Sequence, residues 1–291
     1  MNRWRTLRQR RGRARRGQVS AVATVFGLLI VVTFISNFLL LQLPGEEANN
    51  EYNHLLQVEN QLASLEAVLS AQVKQPGFGY TLTAPVTLGS QGVPPFGPPA
   101  TSSIYLQQDG LMANLTLPGI QSNFVSGVNV QLNNLYTPTA DIVLEQGAVI
   151  LSQTDGTPVM VEPPEFAFSG SASTERTANL TLFSFEGPPI GQSGVMTAVV
   201  LTQVLSASTY TIAVSNNATT SDASLNLTTD YPVAWVTYFV PLGTYIHSLS
   251  CFQYGIPVSC GTPPSGPVQI SVLLNVNFVT VTAATVSVTF D

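Results

Sequence analysis

The N-terminal region joins a basic leader to a long apolar segment. Residues 15–47 read RRGQVSAVATVFGLLIVVTFISNFLLLQLPGEE. From Gly17 to Gly45 no side chain is charged, and a helix over Val19–Leu43 would be about 37 Å long, enough to cross a hydrocarbon core of about 30 Å. A cleaved secretory signal has an apolar region of only about 7–15 residues, followed by a small-residue cleavage site. The segment therefore predicts a helix that stays attached and spans a membrane.

The charged residues are distributed very unevenly along the chain. Eight of the ten basic side chains are arginines in the first seventeen positions, and all sixteen acidic side chains lie from Glu46 onward. The positive-inside rule then predicts a cytoplasmic N-terminus, with everything after Pro44 outside the cell. The acidic bulk of the chain would repel phosphate, which argues against nucleic-acid binding. With two cations beyond the leader, the fold is expected not to depend on ion pairs.

The junction between leader and apolar segment carries a family resemblance. Residues 15–22, RRGQVSAV, are followed at once by an apolar helix and resemble the class III signal peptide of archaeal type IV pilins and archaellins. The resemblance implies that a prepilin peptidase cuts between Gly17 and Gln18, which removes the leader arginines. The fifth mature position, a glutamate in bacterial pilins, is Val22 here. The partners implied are the membrane, the peptidase, and copies of this chain or other pilin subunits joined through the N-terminal helix.

A second and weaker resemblance lies further along the chain. Residues 144–150 and 161–166, LEQGAVI and VEPPEF, together with residues 232–239, PVAWVTYF, resemble blocks of poorly characterised archaeal pilin-like surface proteins. These blocks cover about a tenth of the chain and imply no activity.

The sequence predicts four segments and an α+β fold class. They are a basic leader peptide (1–17), a transmembrane or filament-core helix (18–44), an amphipathic stalk helix (45–75) that follows a break at Pro44-Gly45, and an exported domain (76–291). The exported domain is expected to be a mainly antiparallel β-sandwich, either single or divided into two small β subdomains.

The predicted stalk helix carries an apolar stripe. Five apolar side chains step by three and four residues, which makes a heptad seam: Leu55, Val58, Leu62, Leu65 and Leu69. Two interpretations are open, association with helices of neighbouring subunits or packing against the chain's own β domain. His54 has no Cys, His or carboxylate at a spacing that would make a convincing metal site, so it is expected to be a surface side chain.

From Pro76 onward the sequence is typical of β-structure, with short Val, Ile, Thr, Tyr and Phe runs separated by turn residues. The predicted strands are Ser103–Gln107, Val125–Leu135, Ala148–Thr154, Thr157–Val161, Asn179–Phe185, Met196–Val204, Tyr210–Val214, Ala223–Thr228 and Val233–Val240. Asp155-Gly156 predicts a hairpin turn. The run Val268–Phe290 changes its apolar parity twice, so bulges or a crossing between sheets are expected near Phe278-Val279 and near Ala283-Ala284-Thr285.

Covalent modification is predicted at two kinds of site. Cys251 and Cys260 are the chain's two cysteines, and an oxidising exterior favours a disulfide between them across a hairpin. The alternative is two free buried cysteines. Four N-x-[ST] sequences make possible N-glycosylation sites outside the membrane: Asn114, Asn179, Asn217 and Asn226.

Motifs for catalysis are missing from the sequence. There is no Gly-x-Ser-x-Gly, no phosphate-binding glycine loop and no metal-spaced His/Cys cluster. A glycosidase needs two carboxylates, and the spacing singles out no pair among Glu162/Glu165, Asp141/Glu145 and Asp222/Asp230. We therefore expect no enzymatic activity, no catalytic residues, no cofactor and no metal, and rank an anchored hydrolase as the weakest interpretation.

The favoured interpretation is a pilin-like cell-surface protein, a minor or adhesive subunit of an archaeal type IV pilus-type filament. It would be membrane-anchored with its C-terminal domain extracellular, or part of an extracellular filament after processing. The alternative is a non-polymerising, membrane-anchored extracellular β domain that binds a glycan or a protein partner.

Overall fold

The computed structural model describes residues 22–74, 79–107, 111–125, 127–171, 174–188, 191–215, 222–262 and 266–291. In these residues one long helix, α1 (Val22–Lys74), precedes a β domain of three sheets that also contains a short helix, α2 (Pro232–Phe239). The predicted fold class, a long N-terminal helix followed by a mainly antiparallel β domain, is confirmed.

Helix α1 continues through Pro44, so the expected break at Pro44-Gly45 was wrong. Proline has no N–H and its ring crowds the carbonyl four residues earlier, which disturbs a regular α-helix. A π-helical turn, Phe38–Gln42, lies just before this point, and the Leu43 N–H donates to the Phe38 carbonyl. The wider turn accommodates the proline, and the chain goes on as α-helix over Leu43–Lys74.

Seventeen strands follow in the described residues. They are β1 (Thr81–Thr87), β2 (Thr101–Leu106), β3 (Met112–Leu117), β4 (Ile120–Val125), β5 (Val128–Asn133), β6 (Ala140–Glu145), β7 (Ala148–Gln153), β8 (Val159–Glu162), β9 (Phe166–Ser169), β10 (Thr177–Glu186), β11 (Gln192–Gly194), β12 (Thr197–Ala213), β13 (Ser224–Thr229), β14 (Ile246–Gln253), β15 (Ile256–Val258), β16 (Val268–Leu274) and β17 (Phe278–Phe290). A 3₁₀ segment, Val240–Tyr245, follows α2.

The strands form three sheets. Sheet A has the order β1-β12-β17-β10-β9, sheet B the order β11-β2-β5-β6-β7-β8, and sheet C the order β15-β14-β16-β13-β3-β4. Strands β10 and β17 pair in parallel, whereas the other strand pairs of the described residues are antiparallel.

Two hydrophobic cores share sheet A. The helix core contains the apolar stripe of α1 with side chains of sheets A and B, and the tryptophan core contains Trp235 of α2 with side chains of all three sheets. In β17, Val279 and Val281 belong to the tryptophan core, whereas Val286 and Val288 belong to the helix core. Successive strand residues point to opposite faces, so the change from odd to even numbers places the two cores on opposite faces of sheet A.

The C-terminal run follows the parity changes expected from its sequence. The chain leaves sheet C at Leu274 and enters sheet A at Phe278, which confirms the crossing between sheets. The buried face of β17 changes at Ala283-Ala284. There the partner strand β12 has a register shift between Val204 and Ser206, so the irregularity lies on the neighbouring strand.

The segment predicted as strand Val233–Val240 is helix α2, and that prediction was wrong. Pro232 occupies the first turn of α2, where its fixed φ favours a helix and its missing N–H costs nothing. Ala234, Trp235 and Phe239 are buried in the tryptophan core, so packing overrides the β propensity of the β-branched and aromatic residues around them.

Three other strand predictions had different outcomes. Strand β12 joins the two strands predicted at 196–204 and 210–214. The strand predicted at 125–135 is divided between β4 and β5. The Asp155-Gly156 hairpin is confirmed, since β7 and β8 pair antiparallel on either side of it.

The burial of α1 generates a prediction on stability. Leu62 is fully buried in the helix core, whereas Leu56 on the same helix is 36% exposed. We expect Leu62→Ala to lower the free energy of unfolding by about 2–5 kcal/mol, because it removes buried methyl groups and leaves a cavity. Leu56→Ala is the matched control, with an expected change below about 1 kcal/mol. Denaturant unfolding of the detergent-solubilised chain measures both; equal losses would contradict the packing of α1 described above.

Candidate functional site

The N-terminal part of α1 is apolar and uncovered. Every residue from Val22 to Leu41 is exposed except Phe38, which is half-buried. Among the described residues this is the one helix long and apolar enough to cross a membrane. A surface of this size and composition requires lipid or other apolar helices around it.

The apolar stripe of α1 is covered by the chain's own β domain. Its five members are each exposed by 5% or less and all belong to the helix core: Leu55, Val58, Leu62, Leu65 and Leu69. The structure therefore shows the packing alternative. The interpretation of these residues as a seam for association with neighbouring helices is corrected, because sheets A and B already occupy it.

Glu51 fixes α1 to a loop of the β domain. Its carboxylate accepts hydrogen bonds from the N–H groups of Leu135, Tyr136 and Thr137 at 2.7, 2.9 and 2.7 Å. The Thr137 hydroxyl donates a further bond at 3.0 Å. Hydrogen bonds to a charged acceptor are stronger than neutral ones, so this contact sets the rotation of the helix about its axis.

Two more polar side chains of α1 contact other parts of the β domain. Glu47 accepts a hydrogen bond from the Val93 N–H at 2.8 Å, and Gly97 packs so closely that a Cβ there would overlap the Glu47 carboxylate. His54, expected at the surface, is buried, with Nε2 2.9 Å from the Thr87 carbonyl oxygen. Burial lowers the pKa of His54, although the Thr87 contact and the nearby Glu51 charge raise it.

The turn between β6 and β7 places a glutamate inside the domain. Gln146 and Gly147 form this turn with φ values of 50° and 80°, a geometry for which glycine is well suited. The Gln146 side chain accepts a bond from the Phe183 N–H at 3.1 Å and donates to the Phe183 carbonyl at 3.2 Å. These bonds lock the turn against sheet A and fix the position of Glu145, the last residue of β6.

Glu145 is a fully buried carboxyl group. Its Oε2 accepts hydrogen bonds from Trp235 Nε1 at 3.1 Å and from the Thr229 hydroxyl at 2.9 Å. Oε1 has no hydrogen-bond partner among the described residues. Burial raises the pKa of Glu145 to about 8, the Trp235 and Thr229 bonds oppose this, and the Asp230 charge adds to it. The group is therefore mostly protonated at neutral pH.

An acid and tyrosine cluster lies close to Glu145. Burial raises the pKa of both Tyr105 and Tyr231, and the negative charges of Asp141 and Asp230 raise it further. Burial also raises the pKa of Asp141. No group of three His, Cys, Asp or Glu side chains in the described part of the chain could hold a metal ion.

Sequence reasoning missed the Glu145 site. Glu145 and Trp235 are separated by 90 positions, and neither stands in a spacing that indicates chemistry. The sequence offers no signal for it, because a glutamate at the end of a strand and directly before a Gln-Gly turn is ordinarily exposed to solvent. Of the other carboxylates considered, Glu165 forms an ion pair with Lys74 at 2.7 Å.

The predicted disulfide is present between Cys251 and Cys260, with the two Cα atoms 5.3 Å apart. It lies across the β14–β15 turn, since Cys251 pairs with Val258. The alternative of two free cysteines is therefore excluded.

The possible glycosylation sites occupy different surroundings. Asn179 is exposed on β10. Asn114 and Asn226 are half-buried and lie directly opposite each other on β3 and β13. Asn114 Nδ2 donates to Asn123 Oδ1 at 2.6 Å. Asn217 lies outside the described residues.

The predicted cleavage residues, Gly17 and Gln18, also lie outside the described residues.

A scan against protein-family models, a search of curated proteins and a search of solved structures each found no match.

The raised pKa of Glu145 predicts an unusual dependence of stability on pH. The folded protein holds the Glu145 proton up to about pH 8. The stabilisation that this proton gives the folded state is therefore complete below about pH 4.5 and is lost as the pH rises toward 8. Over this range we expect the free energy of unfolding to fall by about 1.4 kcal/mol per pH unit relative to Glu145→Gln. The exposed Glu175→Gln is the control. Urea titrations between pH 4 and 9 measure the difference, and parallel curves for wild type and Glu145→Gln would contradict the assignment.

Proposed function

We propose that this protein is a type IV pilin-like cell-surface protein. In this proposal a prepilin peptidase cuts between Gly17 and Gln18, the apolar part of α1 anchors the chain or joins a filament core, and the β domain lies outside the cell. The observation that carries the proposal is the division of α1 into an uncovered apolar part, Val22–Leu41, and a part built into the β domain, Leu43–Lys74.

The division of α1 also indicates where neighbouring subunits would meet. The stripe from Leu55 to Leu69 is already buried, so self-association has to use the uncovered part of the helix. Removal of the leader arginines would let this part leave the bilayer and pack against the same part of other pilin subunits. The size of the β domain favours a minor or adhesive subunit.

A specific surface favours the alternative, a non-polymerising anchored domain that binds a glycan. Threonines form side-chain hydrogen bonds between β12 and β17, at 3.1 Å for exposed Thr209 and half-buried Thr282 and at 2.9 Å for exposed Thr211 and half-buried Thr280. A groove of about 340 Å³ is lined by Thr280, Thr282 and Asn179, and also by the ion pair of Lys74 and Glu165. Hydroxyl and amide groups beside an ion pair offer the hydrogen-bond donors and acceptors that sugar hydroxyls need. Neither version of the proposal includes catalysis, a cofactor, a metal or nucleic acid.

Cleavage is tested by mass spectrometry of the mature N-terminus after coexpression with an archaeal prepilin peptidase. We expect the chain to start at Gln18. Gly17→Val should block cleavage because the peptidase requires a small residue before the cut, whereas Gly17→Ala, the matched control, should still be processed. An intact Met1 or a start elsewhere in the wild type would overturn the pilin-like proposal.

Polymerisation is tested by electron microscopy of material sheared from the cell surface. Filaments that contain this chain would support the subunit role. A correctly cleaved chain that remains in the membrane fraction, with filaments lacking it, would favour the anchored binding domain.

A further inference from the structure

A proline-rich loop of the β domain lies beside α1 at the point where the helix leaves the domain. Residues 93–99 read VPPFGPP and carry no charge. The Phe96 side chain is 46% exposed, and its ring centroid lies 5.7 Å from that of Phe38 on α1. The loop therefore accompanies the helix toward its uncovered part.

The position of the loop along α1 is fixed by two contacts. The Val93 N–H donates to Glu47 at 2.8 Å, and Gly97 packs against the same carboxylate. At the tip, Phe96 contacts Phe38. The loop is thus a turn held at Glu47 at both ends, and the side chain of Phe96 extends from it toward Phe38.

The backbone of the loop has no unsatisfied donor. Four of its seven residues are prolines, which have no N–H. Val93 N–H donates to Glu47, and the N–H groups of Phe96 and Gly97 both donate to the Val93 carbonyl, at 2.9 and 2.8 Å. Unsatisfied backbone groups are the main cost of placing irregular chain in a low-polarity environment. The loop has no donor to satisfy there, and its carbonyls can remain hydrated if the loop stays at the interface and only the Phe96 ring enters the apolar layer.

The depth of the loop relative to a bilayer follows from the length of the uncovered helix. The apolar run of the sequence, Val19–Leu43, would be about 37 Å long as an α-helix, somewhat more than a hydrocarbon core of about 30 Å. If it spans the membrane, the outer boundary of the hydrocarbon lies between Phe38 and Leu43. Phe38 is therefore at or just inside that boundary, and Phe96 contacts it. Phe is among the side chains that interfacial segments bury at the boundary between headgroups and acyl chains.

We propose that the loop 93–99 enters the outer interface of the lipid bilayer and places Phe96 at the hydrocarbon boundary. It is a second membrane contact beside the helix, and together the two contacts fix the orientation of the β domain over the membrane. Because the loop is uncharged, its partner is the apolar and interfacial part of the lipid, independent of anionic headgroups. This inference rests on the proposed anchoring by α1.

The test uses tryptophan fluorescence of the full chain in phosphatidylcholine vesicles with brominated acyl chains. Three variants are made in a Trp4→Phe background, whose remaining signal from buried Trp235 is subtracted. Phe96→Trp reports the loop, and Phe34→Trp reports the uncovered helix. Tyr254→Trp is the water-exposed control, because Tyr254 lies in the turn between β14 and β15 and is 86% exposed.

We expect the fluorescence of Phe96→Trp to fall to half its unquenched intensity or less. Bromine near the headgroup end of the acyl chain should quench it more strongly than bromine near the methyl end. Phe34→Trp should show the opposite order, and Tyr254→Trp should not be quenched. Replacing a third of the lipid by an anionic one should leave the Phe96→Trp result unchanged.

Two outcomes overturn the inference in distinguishable ways. If Phe34→Trp is quenched and Phe96→Trp is not, the helix is anchored and the loop does not meet lipid. If neither variant is quenched, the anchoring itself fails, and the proposed function falls with it.

Discussion

The apolar stripe of α1 is buried together with side chains of sheets A and B, and the rest of the molecule is arranged around this contact. Without the helix, the apolar faces of both sheets in the helix core would be open to water. The hydrogen bonds of Glu47 and Glu51 add direction to the contact, because carboxylate oxygens must meet particular N–H groups. The orientation of the uncovered part of α1 is therefore a property of the β domain.

A second constraint is the shortage of cations. The described residues contain one ion pair, Lys74–Glu165, so the buried acids have to be stabilised in other ways. Burial favours the protonated form of Glu145, and Glu51 is stabilised by the hydrogen bonds that it accepts from N–H groups of a loop. Burial also raises the pKa of Glu66, against the effect of its Ser70 hydrogen bond.

Patterns that act over short distances were predictable from the sequence. The apolar segment, the α1 stripe, the Asp155-Gly156 hairpin and the crossing before Phe278 all follow from local periodicity and turn chemistry. Features set by distant partners were not. Helix α2 forms because Trp235 fills a core made by three sheets, and the Glu145 site joins residues 90 positions apart. The continuation of α1 through Pro44 was not predictable either, because the compensating π-helical turn leaves no recognisable signal in the sequence.

The way α1 is built into the β domain has a mechanical consequence. The part of α1 that packs on the β domain, Leu43–Lys74, has 32 residues and is about 48 Å long. Its buried residues are spread from Leu43 to Val73. A force applied along the axis of α1 acts on these contacts in shear, so they resist together instead of separating one after another. Tension between the uncovered part of α1 and the β domain would therefore load all of these contacts at once.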